Sequence, residues 1–269
     1  MNKYLCYRIS SRINAKPRIA GFSKLDCLDN LLSSFPGYRM ICIADHCDKE
    51  IVTILSQKGF FRLEVTHLGQ ALSFYHLVRH ALNELDDDDI VYFIEDDYLH
   101  IAQANEILEE GLSVFDYVTL YDHPDKYGVF GKGKNPYVND DRLSESTRIF
   151  KGRQVLWRTT NSTTHSFACH VGTLRGDRWI WLGRLKLRPK LQDFYDWIFL
   201  TKPGFNGGKL KLKILLRQGL AYLAMIAGYR KRTLGVPVPS ASAHLEAKFL
   251  PDGFDLRQYQ HKKPRQDEY

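Results

Sequence analysis

The run Ile90-Val91-Tyr92-Phe93-Ile94 leads without a break into Glu95-Asp96-Asp97. Five consecutive apolar residues, all β-branched or aromatic, are too few for a helix and suit a strand buried on both faces. Such strands belong to parallel sheets covered by helices on either side, so this segment directs the chain toward an α/β architecture. Three carboxylates then stand where the strand leaves the sheet. In open α/β sheets ligands bind outside that edge. Two unit charges ~4 Å apart repel by roughly 4 kcal/mol at an effective dielectric near 20, and a bound divalent cation removes that cost. Strand alternation predicts Glu95 and Asp97 on one side and Asp96 on the other. Glu95 with Asp97, or Asp97 with water, is then the natural ligand set, and its hard oxygens suit magnesium or manganese better than zinc. A solvated acidic turn is the alternative. Asp86-Asp87-Asp88-Asp89, at the opposite end of the strand, is expected to be such a turn.

The same logic extends upstream. Residues 3–10 predict a first strand, with Ser10, Ser11 and Arg12 at its carboxyl edge. Phe22, Leu25, Leu28, Leu31, Leu32 and Phe35 have helical spacing, and Pro36-Gly37 ends that helix. Residues 38–44 predict a second strand closed by Asp45-His46. An acid there can hold a ribose or base, or cap the helix expected at 48–58. A third strand over 61–67, a helix over 71–85 and the strand from residue 90 complete a βαβ series of parallel strands. Neither GxGxxG nor GxxxxGK[ST] occurs, which disfavours a dinucleotide fold and a P-loop. His76 and His80 stand at i, i+4, a spacing that can hold zinc. The residues between them are Leu-Val-Arg rather than the Glu-x-x of a zinc protease, so a pair on a solvated helix face is expected.

Beyond a helix over 102–114 and a strand over 117–121, composition shifts to Asp, Gly, Lys, Asn, Pro and Ser from 122 to 154. A loop of that length suggests a lid or a partly disordered segment. Residues 155–174 predict a hairpin on the far side of the site, with His165 and His170 as acceptor contacts or core histidines. Asp193 falls in the first turn of a helix, where it is a cap favoured by the dipole or a general base facing a cleft. Residues 209–232 place an apolar segment between basic flanks, which fits an interfacial helix at an anionic membrane or a core helix with solvated ends. His244, after the Pro-bounded stretch 237–243, is a metal ligand or a surface histidine. Residues 255–269 are expected to be a mobile tail.

The formal net charge of +7 points to an anionic partner. No RNP1 run or paired zinc-ligand motif accompanies it, so nucleic-acid binding is not expected. The five cysteines form no CxxC pair, as expected for reduced thiols in the cytoplasm. The amino terminus lacks the apolar core of a signal peptide, and no run of 18 uncharged apolar residues predicts a membrane span.

The order of elements, and above all Phe93-Ile94-Glu95-Asp96-Asp97, resembles a GT-A nucleotide-sugar glycosyltransferase of the broad family-2 type, over roughly residues 3–250. Glu95 takes the place of the first Asp in that family's DxD motif. The resemblance implies a Rossmann-like, mostly parallel sheet with an acceptor-side subdomain. It divides the chain into a nucleotide-sugar-binding half (1–121), an acceptor-binding and catalytic half (122–254) and the tail (255–269). It implies a manganese or magnesium ion on Asp97, with Glu95 and His244 as further ligands. Ser10, Arg12, Asp45, Glu95 and Asp96 would contact the donor, and Asp193 would deprotonate the acceptor hydroxyl. Two departures stand out: Ser10-Ser11-Arg12 replaces the family's Asn- or Asp-rich opening loop, and Gln192-Asp193 replaces its Glu-Asp pair. The QxxRW motif of processive synthases is absent. The implied activity is single-sugar transfer, with inversion, from a nucleoside-diphosphate sugar to a glycan or lipid-linked acceptor, as in polysaccharide biosynthesis, on a cytoplasmic protein with a peripheral membrane contact through 209–232 as one reading. A nucleotidyltransferase or phosphohydrolase would use the same acids, and a basic nucleic-acid-binding protein is the non-enzymatic alternative.

Overall fold

The computed structural model describes residues 1–12, 19–127, 143–144, 147–183, 193–201, 204–205 and 230–260. The first half follows the expected alternation: β1 (Lys3–Ile9), α1 (Lys24–Ser34), β2 (Arg39–Asp45), α2 (Lys49–Ser56), β3 (Arg62–Thr66), α3 (Gln70–Glu84) and β4 (Ile90–Glu95). After β4 the chain turns through Asp96-Asp97 into the short β5 (Tyr98–His100), then α4 (Ala104–Leu112) and β6 (Tyr117–Val118). The second half adds β7 (Leu143–Ser144), β8 (Ile149–Lys151), β9 (Leu156–Thr159), β10 (Phe167–His170), α5 (Val171–Gly176), α6 (Arg178–Gly183), α7 (Asp193–Thr201), β11 (Gly204–Phe205), β12 (Leu234–Val238), β13 (Ser242–His244) and α8 (Arg257–Gln260).

A nine-stranded sheet runs β3-β2-β1-β4-β10-β6-β12-β9-β8. Only β10 and β9 run against the other strands. This is the Rossmann-like, mostly parallel α/β plan expected from the sequence. β4 explains how its apolar run is used. Ile90, Tyr92 and Ile94 enter one core with α1 and α4, whereas Val91 and Phe93 enter the other with α3, α5, α6 and α7. Both faces are dry, so alternation carries no polar residue until Glu95.

The expected hairpin over 155–174 does not form. β10 inserts between β4 and β6, and β9 lies beyond β12. Burial accounts for the separation. Phe167, Ala168 and Cys169 are wholly enclosed and need a central position, while Leu156, Ile149 and Phe150 are exposed toward the β8 edge. The run Asp86–Asp89 forms a turn at the amino end of β4, but Asp89 is buried and accepts from the Asn2 backbone N–H at 2.6 Å. The apolar segment of 209–232 and the end of the expected tail lie outside the described residues. Among the described residues no helix is long and apolar enough to cross a membrane.

Candidate active site at the carboxyl edge of β1 and β4

The strand order reverses direction of growth at β1. β2 and β3 extend the sheet to one side and β4 continues it on the other. The carboxyl ends of β1 and β4 are therefore the switch point, the edge where ligands bind in such sheets. β1 delivers Arg8 and Ser10 there, and β4 delivers Glu95, Asp96 and Asp97.

Each of the three acids has its own partner. Glu95 accepts from the Arg8 guanidinium on the neighbouring strand. Asp96 accepts from the Ser10 backbone N–H at 2.9 Å and pairs with Lys24 Nζ at 2.7 Å. Burial, and then the neighbouring Asp97, hold the Asp96 carboxyl above its usual range against the pull of Lys24. Asp97 lies 3.2 Å from His244 Nε2. That contact comes from backbone pairing: β13 runs antiparallel to β5 with His244 opposite Tyr98, and the Leu245 N–H donates to the Asp97 carbonyl at 2.8 Å. The His244 ring stacks on Tyr98 with centroids 4.8 Å apart, and Glu246 Oε2 stands 3.9 Å from its Nδ1. Burial opposes protonation of His244, but Asp97, Glu95 and Glu246 outweigh it and raise its pKa.

Of the three expected metal ligands, the structure brings Asp97 and His244 together and turns Glu95 to Arg8. The expected alternation fails here because the strand ends at Glu95, so Asp96 and Asp97 belong to a turn. A carboxylate and a buried imidazole in contact are two donors that a divalent cation could share, without selecting among first-row metals.

Asp45 closes β2 as expected, yet it neither caps α2 nor opens to solvent. Its oxygens accept from Thr66 Oγ1 at 2.9 Å, Leu68 N at 2.7 Å and Gly69 N at 3.0 Å, and meet His46 Nδ1 at 3.0 Å. Its role is to tie β2 to the turn that starts α3. Burial alone would raise its pKa; the four hydrogen bonds more than offset that and lower it. Arg12 is exposed, and its backbone N–H donates to Ser10 Oγ at 3.3 Å. Asp193 opens α7, and its side chain lies outside what is described. His165 is buried with its ring 4.3 Å from Phe74, a core position. His170 sits at the amino end of β4, opposite Ile90, on the wrong edge for acceptor contact.

Sequence reasoning missed Arg8 and Lys24. Both left a signal. Arg8 is a charge near the end of a strand whose residues 4–9 are otherwise apolar or aromatic. Lys24 is a cation in the first turn of α1, where the helix dipole disfavours it, and Asp96 is the compensating anion.

No family model and no curated protein matches the chain. Among solved structures it is similar to residues 1–349 of TarS from S. aureus, at 14% identity and a TM-score of 0.42, over 90% of this chain and 59% of that one. It is similar to 4-diphosphocytidyl-2C-methyl-D-erythritol synthase from Anaerococcus prevotii at 13% identity and a TM-score of 0.43, covering 83% and 96% of the two chains. A CMP:2-keto-3-deoxy-manno-octonic acid synthetase in complex with CTP is similar at 12% identity and a TM-score of 0.40, covering 88% and 89%.

Proposed function

We propose that this chain is a divalent-metal-dependent transferase that moves a single sugar, with inversion, from a nucleoside-diphosphate sugar to a hydroxyl of a glycan or lipid-linked acceptor. One observation carries the reading: Asp97 and His244, distant in sequence, meet at the switch point of the sheet beside Lys24 and Arg8. Asp97 and His244 would hold manganese or magnesium, which when bound supplies positive charge to the departing diphosphate. The Arg8 and Lys24 cations border the same edge and suit an anionic donor. Asp96 fixes the Ser10 backbone at the carboxyl edge of β1. In the reaction, the acceptor oxygen bonds to the anomeric carbon as the bond from that carbon to the diphosphate oxygen breaks. Asp193, at the start of α7, is the proposed base for the acceptor proton.

A thermal-shift series of nucleotide sugars with and without Mn2+ tests this. Ligand binding to the native state raises apparent stability by RT ln(1 + [L]/Kd). A metal-dependent rise with one donor, absent in Asp97→Ala, is expected. Product analysis then separates the activities that share these acids: a new glycoside with free nucleoside diphosphate is the expected result. Pyrophosphate or inorganic phosphate as product would move the assignment to a nucleotidyltransferase or phosphohydrolase.

A further inference from the structure

A second group of metal-ligating side chains lies at the β3 edge of the sheet, apart from the carboxyl-edge site. Glu64, in the middle of β3, faces α3. His76 and His80, one turn apart on that helix, direct both Nε2 atoms at its carboxylate. His76 Nε2 is 2.7 Å from Oε2, His80 Nε2 is 2.9 Å from Oε1, and the two nitrogens are 3.2 Å from each other. The three ligand atoms all fall within 4.8 Å of one another.

Hydrogen bonding among neutral rings does not satisfy this arrangement. His80 Nδ1 lies 2.7 Å from Glu84 Oε1. A neutral imidazole has one N–H, so His80 can donate to Glu84 or to Glu64 but not to both. If it donates to Glu84, its Nε2 lone pair faces Glu64, and the Nε2 atom of His76 stands against it. Two arrangements resolve the conflict: an imidazolium that donates to both carboxylates, or a cation held by both lone pairs and the Glu64 carboxylate. Ligand nitrogens ~2.0–2.1 Å from a tetrahedral zinc stand roughly 3.3 Å apart, close to the observed separation. The Glu64 oxygens need withdraw by only about 0.5 Å to reach the same spacing.

The surroundings supply what such a site needs. Two groups face His80 Nδ1: Glu84 Oε1 at 2.7 Å and Arg62 Nη1 at 3.2 Å. The nearer carboxylate favours Nδ1–H and leaves Nε2 for a metal, a carboxylate being the usual second partner of a metal-bound histidine. Arg62 bridges Glu64 at 3.1 Å and Glu84 at 2.9 Å, and holds both carboxylates in place. The His76 side chain is 34% exposed and that of Glu64 29%, which leaves a route for entry and a fourth position for water. Two imidazoles with one carboxylate favour zinc over magnesium.

We propose that Glu64, His76 and His80 form a site for a zinc-class divalent cation that clips the edge strand β3 to α3, with Glu84 as the residue that orients His80. It is independent of the proposed transfer reaction. Three strand spacings of ~4.8 Å separate β3 from β4, about 14 Å.

The test uses the full, tag-free chain stripped with chelator. It is titrated with Zn2+ by calorimetry and by competition with a chromogenic chelator, and with Co2+ for the visible absorption of a tetrahedral site. The count is made in the Asp97→Ala background, which removes the carboxyl-edge site: one zinc per chain and a zinc-dependent rise in Tm are expected there, and the His76, His80 and Glu84 variants are compared in the same background. His76→Asn and His80→Asn should each abolish stoichiometric binding. Glu84→Gln should weaken it by about 10–100-fold with unchanged circular dichroism, which keeps the test decisive if the asparagine variants do not fold. Failure of the Asp97→Ala chain to take up zinc overturns the proposal, as does undiminished affinity in folded His76→Asn, His80→Asn or Glu84→Gln.

Discussion

Asp45 occupies the position at the end of a second strand where a ligand-binding acid is expected, and its neighbours have claimed its oxygens instead. The hydrogen bonds from Thr66, Leu68, Gly69 and His46 form only on folding, so its folded pKa lies below the unfolded one. Such a group stabilises at pH above the unfolded value of about 3.9, and the contribution is lost as pH falls through the folded pKa. Asp45→Asn should therefore cost about 2 kcal/mol at neutral pH. In urea titrations the gap between wild type and variant should close as the pH drops below about 4; a pH-independent gap would assign the loss to packing. At the proposed centre the residue-scale expectations differ by role. Asp97→Ala and His244→Ala should abolish metal-dependent donor binding, measured by calorimetry. Asp193→Ala should leave donor binding intact and lower turnover by roughly 10²–10⁴-fold, measured as glycoside formed per unit time.

At the scale of elements, a largely enclosed ion pair joins α1 to the turn that follows β4. Lys24 and Asp96 are both largely enclosed, and removal of one partner leaves an uncompensated charge, which costs about 3–5 kcal/mol. Lys24→Met should destabilise by that amount, and Asp96→Asn introduced into the same chain should recover much of it. A denaturant double-mutant cycle measures the coupling. Strand β12 depends on the absence of a side chain. A Cβ at Gly235 would overlap the Phe115 ring, which packs over the strand. Gly235→Ala should thus cost about 1–3 kcal/mol through overpacking, read as a lower urea midpoint with an unchanged slope.

For the whole molecule, the sheet order joins the two halves of the chain. β10, from the second half, is the direct neighbour of β4, and β12 lies inside the sheet between β6 and β9. A fragment of residues 1–121 would expose β4 as an edge with two apolar faces, the condition that promotes aggregation. It should not elute as a monomer or show near-UV circular dichroism; a folded monomer would mean that the first half carries its own complete core. The first seven elements were legible because buried parallel strands read as short apolar runs and their helices as 3.6-residue periodicity. Local physics settles both. The carboxylate trio was legible for the same reason, as the abrupt end of such a run. The partner of each acid was not. Arg8, Lys24 and His244 reach Glu95, Asp96 and Asp97 through strand register, a helix start and the β5–β13 pairing, and none of these contacts is local in sequence. Likewise the i, i+4 spacing of His76 and His80 was visible, while the carboxylate that gives it meaning, Glu64, comes from the adjacent strand. The sequence by itself determined the layered α/β plan and which edge carries charge, because hydrophobic periodicity is a property of neighbouring residues. Only the tertiary structure decided which cation meets which acid, since that depends on how distant strands come into register.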